Sequence, residues 1–77
     1  MSVDPDEIHA RIGAQIRQRV AARGMTLRAF AEEMDTGYTH LWAVLGGRRS
    51  PTVTWLCRAA EVLECDPLEL LREPKRR

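Results

Sequence analysis

The chain has 77 residues and a formal net charge of +1, with 44% apolar and 30% charged residues. That is enough for one domain and too little for a second core, and a chain so short buries only roughly 60% of its unfolded surface. The composition excludes disorder, and the apolar runs fall short of the ~20 residues of a membrane span. With Cys57 and Cys65 as the two cysteines, a disulfide framework is excluded as well.

In chain order, Asp4-Pro5-Asp6-Glu7 predicts a helix start, with Asp4 as cap, Pro5 at the first position and Glu7 completing a capping box. Ile8, Ile12, Ile16 and Val20 follow as one apolar stripe, and Arg23-Gly24 closes a first helix over 5–23. Gly13 inside it either costs up to ~1 kcal/mol relative to Ala or permits close approach of a neighbouring helix. Thr26 caps a second helix over 27–34, with Leu27, Phe30, Ala31 and Met34 at helical spacing. Asp35-Thr36-Gly37 predicts a tight turn, because Asp and Gly tolerate the left-handed conformation. Leu41, Val44 and Leu45 mark a third helix over 38–45, and Gly46–Pro51 predicts a loop. Thr52 caps a fourth helix over 53–64, striped by Leu56, Ala59, Ala60 and Leu63. Asp66-Pro67-Leu68-Glu69 repeats the opening start signal and begins a short fifth helix over 67–72. A basic tail, 73–77, completes the chain. The fold class read from this order is all-α, five helices in a single domain over 1–77.

The charges are divided along the chain. Residues 8–31 carry Arg11, Arg17, Arg19, Arg23 and Arg28 and no acid, and residues 36–60 carry Arg48, Arg49 and Arg58 and no acid. The acids cluster at 4–7, 32–35 and 61–73. Lys75 is the one lysine; every other basic residue is Arg, whose forked guanidinium suits phosphate. Such a division fits a basic face opposed to an acidic one.

Two short helices joined by a three-residue turn, over 26–45, form the pattern of a helix-turn-helix, in which the first helix crosses the second and leaves it one outward face. Ala31 is the small residue at the crossing, and Phe30, Met34, Leu41 and Val44 pack around it. The stretch IRQRVAARGMTLRAFAEEM, the turn, and LWAVLGGRRSPTVTWLCRAAEVLECDPLELL together resemble the xenobiotic-response-element, or phage lambda repressor-like, helix-turn-helix domain. The resemblance covers about residues 8–72 and rests on Arg-Gly-Met-Thr before the second helix, Phe30-Ala31, the Gly-x-Arg-x-Ser-Pro-Thr loop and the final Asp-Pro-Leu-Glu-Leu-Leu. It implies a five-helix bundle that binds double-stranded operator DNA as a homodimer and regulates transcription, more often as a repressor. It assigns base reading to Tyr38, Thr39, Trp42 and Ala43, with His40 nearby, and backbone contact to Thr26, Leu27, Arg28, Arg48 and Arg49. The chain departs from the family pattern at Leu27, where Gln is usual, at Asp35, where Gly is usual, and at Gly37, where Ser is usual. None of Tyr38, Thr39, Trp42 and Ala43 makes the bidentate pairs with guanine or adenine that carry direct readout.

For Trp42, one residue past Leu41, three roles are open: packing on Tyr38 or a neighbouring helix, apolar contact with thymine methyls or sugars, or a hot spot for a protein partner. Arg11, Arg17, Arg19 and Arg23 are expected as ordinary solvent-facing charges. Glu32, Glu33 and Asp35 are expected on the side away from DNA. Trp55, Ala59 and Val62, with Leu68, mark either a broad core face or a homodimer interface, which would set two recognition helices ~34 Å apart. Cys57, Cys65, His9 and His40 fit no zinc spacing, and no phosphate cradle or catalytic constellation stands out. The expectation is a non-enzyme with no cofactor and no membrane contact, cytoplasmic and at the nucleoid through DNA. The alternative is the same scaffold turned to protein binding through Tyr38, His40 and Trp42.

Overall fold

The computed structural model describes residues 2–74, so Lys75, Arg76 and Arg77 of the expected basic tail lie outside the described residues. Four α-helices follow one another, α1 (Pro5–Ala22), α2 (Leu27–Glu33), α3 (Tyr38–Leu45) and α4 (Val53–Leu63), and a 3₁₀ helix spans Pro67–Leu71. There is no strand among the described residues. The all-α class holds; the short fifth helix expected over 67–72 is a 3₁₀ helix, so the α-helices number four among the described residues. Between the Asp66 cap and Pro74 the chain closes i to i+3 bonds, Glu69 N–H to Asp66 O at 2.9 Å and Arg72 N–H to Glu69 O at 3.3 Å, and so winds as the tighter helix.

Side-chain caps start α1, α2 and α4. The carboxylate of Asp4 accepts the Asp6 N–H at 3.0 Å, and the hydroxyls of Thr26 and Thr52 accept the N–H groups of Ala29 and Trp55, each at 3.0 Å. The expected capping box at Glu7 is not made. Its carboxylate takes Arg11 at 3.3 Å instead, and Glu69 likewise takes Arg72 at 3.1 Å. In both cases an arginine one turn on offers a charge-assisted bond that a lone backbone N–H does not match.

All four α-helices end the same way. In each, a residue in left-handed conformation lets the next N–H reach back to a carbonyl of the last turn: Met25 to Val20 O, Thr36 to Ala31 O, Arg48 to Ala43 O and Cys65 to Ala60 O, all at 2.9–3.0 Å. The left-handed residues are Gly24 (φ 70°), Asp35 (φ 53°), Gly47 (φ 77°) and Glu64 (φ 55°). These stops turn the chain sharply and make the inter-helix loops short.

The core joins Ile12, Ile16 and Val20 of α1, Phe30 and Ala31 of α2, Met34 just beyond it, Leu41 and Leu45 of α3, Ala59, Ala60 and Leu63 of α4, and Leu70 of the 3₁₀ helix. Phe30, Ile16, Leu41 and Leu70 are fully buried. Truncating such side chains to Ala costs about 2–5 kcal/mol each. Ile8, at the head of the α1 stripe, is only partly covered. Gly13 is where α1 and α3 meet: a Cβ there would lie 2.8 Å from the Leu45 carbonyl oxygen. The close-approach reading of this glycine is the one the fold uses. The buried polar residue is Gln15, which donates to Arg72 O at 3.0 Å and accepts from Arg19 Nε at 3.1 Å, tying α1 to the end of the 3₁₀ helix.

Candidate nucleic-acid interface

α2, the turn and α3 place one helix across the other. Asp35 takes the left-handed position of the turn, but Gly37 does not share it: its backbone is extended (φ −67°, ψ 141°) and it caps α3 with no side-chain bond. α3 buries Leu41, Val44 and Leu45 inward. On a 3.6-residue helix Thr39 and Ala43 are then opposite the core, Tyr38 and Trp42 form one flank, and His40 lies on the other.

The flanks are held in distinct ways. Trp42 is 36% exposed and meets the Tyr38 ring edge-on, with centroids 5.9 Å apart. The Arg28 guanidinium of α2 lies over the Tyr38 ring, 4.4 Å from its centroid, and the Arg17 guanidinium of α1 lies over the Trp42 ring at 5.0 Å. A continuous row Arg17–Trp42–Tyr38–Arg28 therefore spans three helices. His40 is half-buried and meets Trp55 of α4 edge-on at 6.4 Å.

The loop after α3 is equally organised. The N–H groups of Arg48 and Arg49 both donate to Ala43 O, at 2.9 and 3.2 Å, folding the loop back on the last turn of α3. A Cβ on Gly46 would meet Arg48 Nη1 at 3.3 Å, so this side chain lies along the helix end. Both arginines are exposed. Thr26 is exposed at the α2 cap; Leu27 is half-buried and packs against the edge of the core. The proposed readers and clamps thus converge on the outward side of α3, with His40 turned partly inward.

Charge pairing divides the arginines by place. Arg11, Arg23 and Arg72 hold carboxylates: Glu7 and Glu73, Glu64, and Glu69 respectively. Arg17, Arg28, Arg48 and Arg49, which surround α3, have no carboxylate partner among the described residues. Arg17 is exposed, as expected of a solvent-facing charge, but its stacking on Trp42 was not read from the sequence. The signal was present: it stands one turn after Gly13, on the side of α1 that a close helix crossing turns toward α3. Glu32 is exposed on α2, one helical turn after Arg28.

Of the residues expected to form a dimer face, Ala59 is 0% exposed in the chain's own core and offers no surface. Trp55 and Val62 are half-buried against that core, and Leu68 is 67% exposed. Val53, 77% exposed at the start of α4, does not stand out in the sequence. No cluster of three or more metal-ligating side chains occurs among the described residues, and no helix among them is long and apolar enough to cross a membrane.

Two crossing helices with an outward, cation-flanked second helix define a helix-turn-helix protein. The helix-turn-helix domain family matches residues 11–73, and the chain belongs to that family. The fold is also that of a crystal structure of a hypothetical transcription factor, NHTF, from Neisseria, with a TM-score of 0.84 at 19% identity, over 96% of this chain and 85% of that one. No curated protein matches the sequence.

Proposed function

We propose that the chain is a sequence-specific DNA-binding transcriptional regulator, a repressor acting as a homodimer on a palindromic operator. α3 enters the major groove, which is ~12 Å wide and accepts one helix. Arg28, Arg48 and Arg49 grip phosphates and fix the register. Tyr38, Thr39 and Trp42 meet base edges, thymine methyls or sugars, with Ala43 allowing close approach. Because these side chains lack the forked donors of direct readout, DNA shape supplies much of the discrimination. Occupying a promoter then blocks transcription. Trp55, Val62 and Leu68 are the residues through which a second copy would pack.

The observation that carries this proposal is that Arg17, Arg28, Arg48 and Arg49 around α3 hold no carboxylate, whereas the ion-paired arginines among the described residues, Arg11, Arg23 and Arg72, lie elsewhere. The hypothetical transcription factor from Neisseria, named for such a role, supports it at the level of fold.

The test is to incubate the protein with fragmented genomic DNA at ~150 mM salt, where weak non-specific contacts are suppressed, and to sequence what it retains. We expect a few palindromic sites. Retention of nothing, or of random fragments that release as salt rises, would overturn the proposal and favour protein binding through Tyr38, His40 and Trp42.

A further inference from the structure

We infer that Arg17, on α1, is a further DNA-phosphate contact, presented to the backbone by the indole face of Trp42. The inference rests on the DNA-binding function proposed above and adds a third helix to the interface.

The Arg17 guanidinium lies 5.0 Å from the centre of the Trp42 ring, and Trp42 is itself braced edge-on by Tyr38. Stacking on an aromatic ring engages the face of a guanidinium and leaves its in-plane N–H donors free. Arg17 makes no hydrogen bond to a protein acceptor and no ion pair among the described residues. Its neighbours on α1 and at its end behave differently: Arg11 and Arg23 hold carboxylates, and Arg19 donates to Gln15. Arg17 therefore has its donors unused and its long side chain already held.

Arg28 repeats the arrangement on Tyr38, at 4.4 Å. The two cations thus sit at either end of the Tyr38–Trp42 flank of α3, one from α1 and one from α2. A helix in the major groove has a phosphate strand along each flank. Two held cations on one flank can each take a phosphate of one strand, while Arg48 and Arg49 serve at the end of the helix. Trp42 then acts as a support. Its face holds Arg17 in place, so less side-chain freedom is lost when a phosphate is bound.

The experiment measures binding of the full chain to a mixed-sequence duplex of about 30 base pairs over a range of salt concentrations. Each phosphate contact contributes about 0.9 to the slope of log K against log salt. We expect Arg17→Gln to lower that slope by about one unit and affinity about five- to tenfold near 150 mM salt, with its melting temperature unchanged. Arg17→Lys keeps the charge and should keep the slope. Trp42→Leu removes the stacking face, so the further loss caused by Arg17→Gln should shrink in the double variant. If the wild-type chain binds DNA and Arg17→Gln leaves the slope unchanged, the inference is overturned and the DNA-binding function stands. If the wild-type chain binds no DNA, that function fails first and the inference with it.

Discussion

Gly13 shows how much one missing side chain can decide. In isolation a helical glycine is a defect, and replacing it with Ala gains up to about 1 kcal/mol of helix propensity. Here the added Cβ would meet a backbone oxygen, that of Leu45, at 2.8 Å, and backbone cannot rotate away. Pushing α1 from α3 costs about 1–3 kcal/mol. We therefore expect Gly13→Ala to destabilise the protein and lower its melting temperature by several degrees in a thermal melt; an increase would mean that the crossing is loose. The cysteines differ in the same local way. Burial pushes the Cys65 thiol above its ordinary value, Arg19 pulls it down, and Glu69 and Asp66 push it further up, whereas Cys57 is exposed. A thiol-alkylating reagent near neutral pH should label Cys57 first, because the thiolate is the reactive species and Cys65 is both less ionised and less accessible. Mass spectrometry of partly labelled protein reads the order. Glu32 follows Arg28, a proposed phosphate contact, by one turn of α2. Glu32→Gln should tighten DNA binding about twofold at ~150 mM salt, as expected for one screened charge.

The elements of this fold are defined chiefly by their ends. Each α-helix stops where a left-handed residue closes the return bond to its last turn. Two of those residues are glycines, Asp35 is tolerated, and Glu64 (φ 55°) is the least suited to the position. A non-glycine residue there carries about 1–2 kcal/mol of strain. The Arg23–Glu64 pair at 3.1 Å offsets part of it, but both side chains are well exposed, and such pairs contribute only about 0.2–1 kcal/mol. Glu64→Gly should therefore raise stability by about 1 kcal/mol in chemical denaturation, the difference left between the strain relieved and the pair lost. A loss would mean that the pair outweighs the strain.

At the scale of the whole molecule, a net charge of +1 understates what the surface can do. Acids are matched to Arg11, Arg23 and Arg72, in pairs that fasten α1 to the segment after the 3₁₀ helix and to the end of α4. Arg17, Arg28, Arg48 and Arg49, which hold no carboxylate among the described residues, surround α3, whereas Arg19 and Arg58 bond to Gln15 and to the Met34 carbonyl. Binding to a polyanion responds to that local arrangement and only weakly to the sum. Replacing Arg48 and Arg49 together with Ala should weaken DNA binding across all sequences and reduce the salt slope by about two units, while the melt stays unchanged. A change confined to a few sequences would instead make them base readers.

The sequence by itself determined the helices and their order, because caps, stops and apolar periodicity act within a turn or two of chain. Asp4, Thr26, Thr52 and Asp66 were all legible as starts, and the α-helices begin and end within a residue of the expected places. It also determined the outward residues of α3, since Leu41, Val44 and Leu45 leave no other face. Only the tertiary structure decided what depends on distance between elements. It wound the last helix more tightly, with Leu70 brought into the core within a few residues of its cap. It placed Ala59 inside rather than on an interface, and it laid Arg17 against Trp42. Each of these is a competition between a local partner and a distant one. The chain pattern gives the first; the second exists only when α1, α3 and α4 are packed around Phe30.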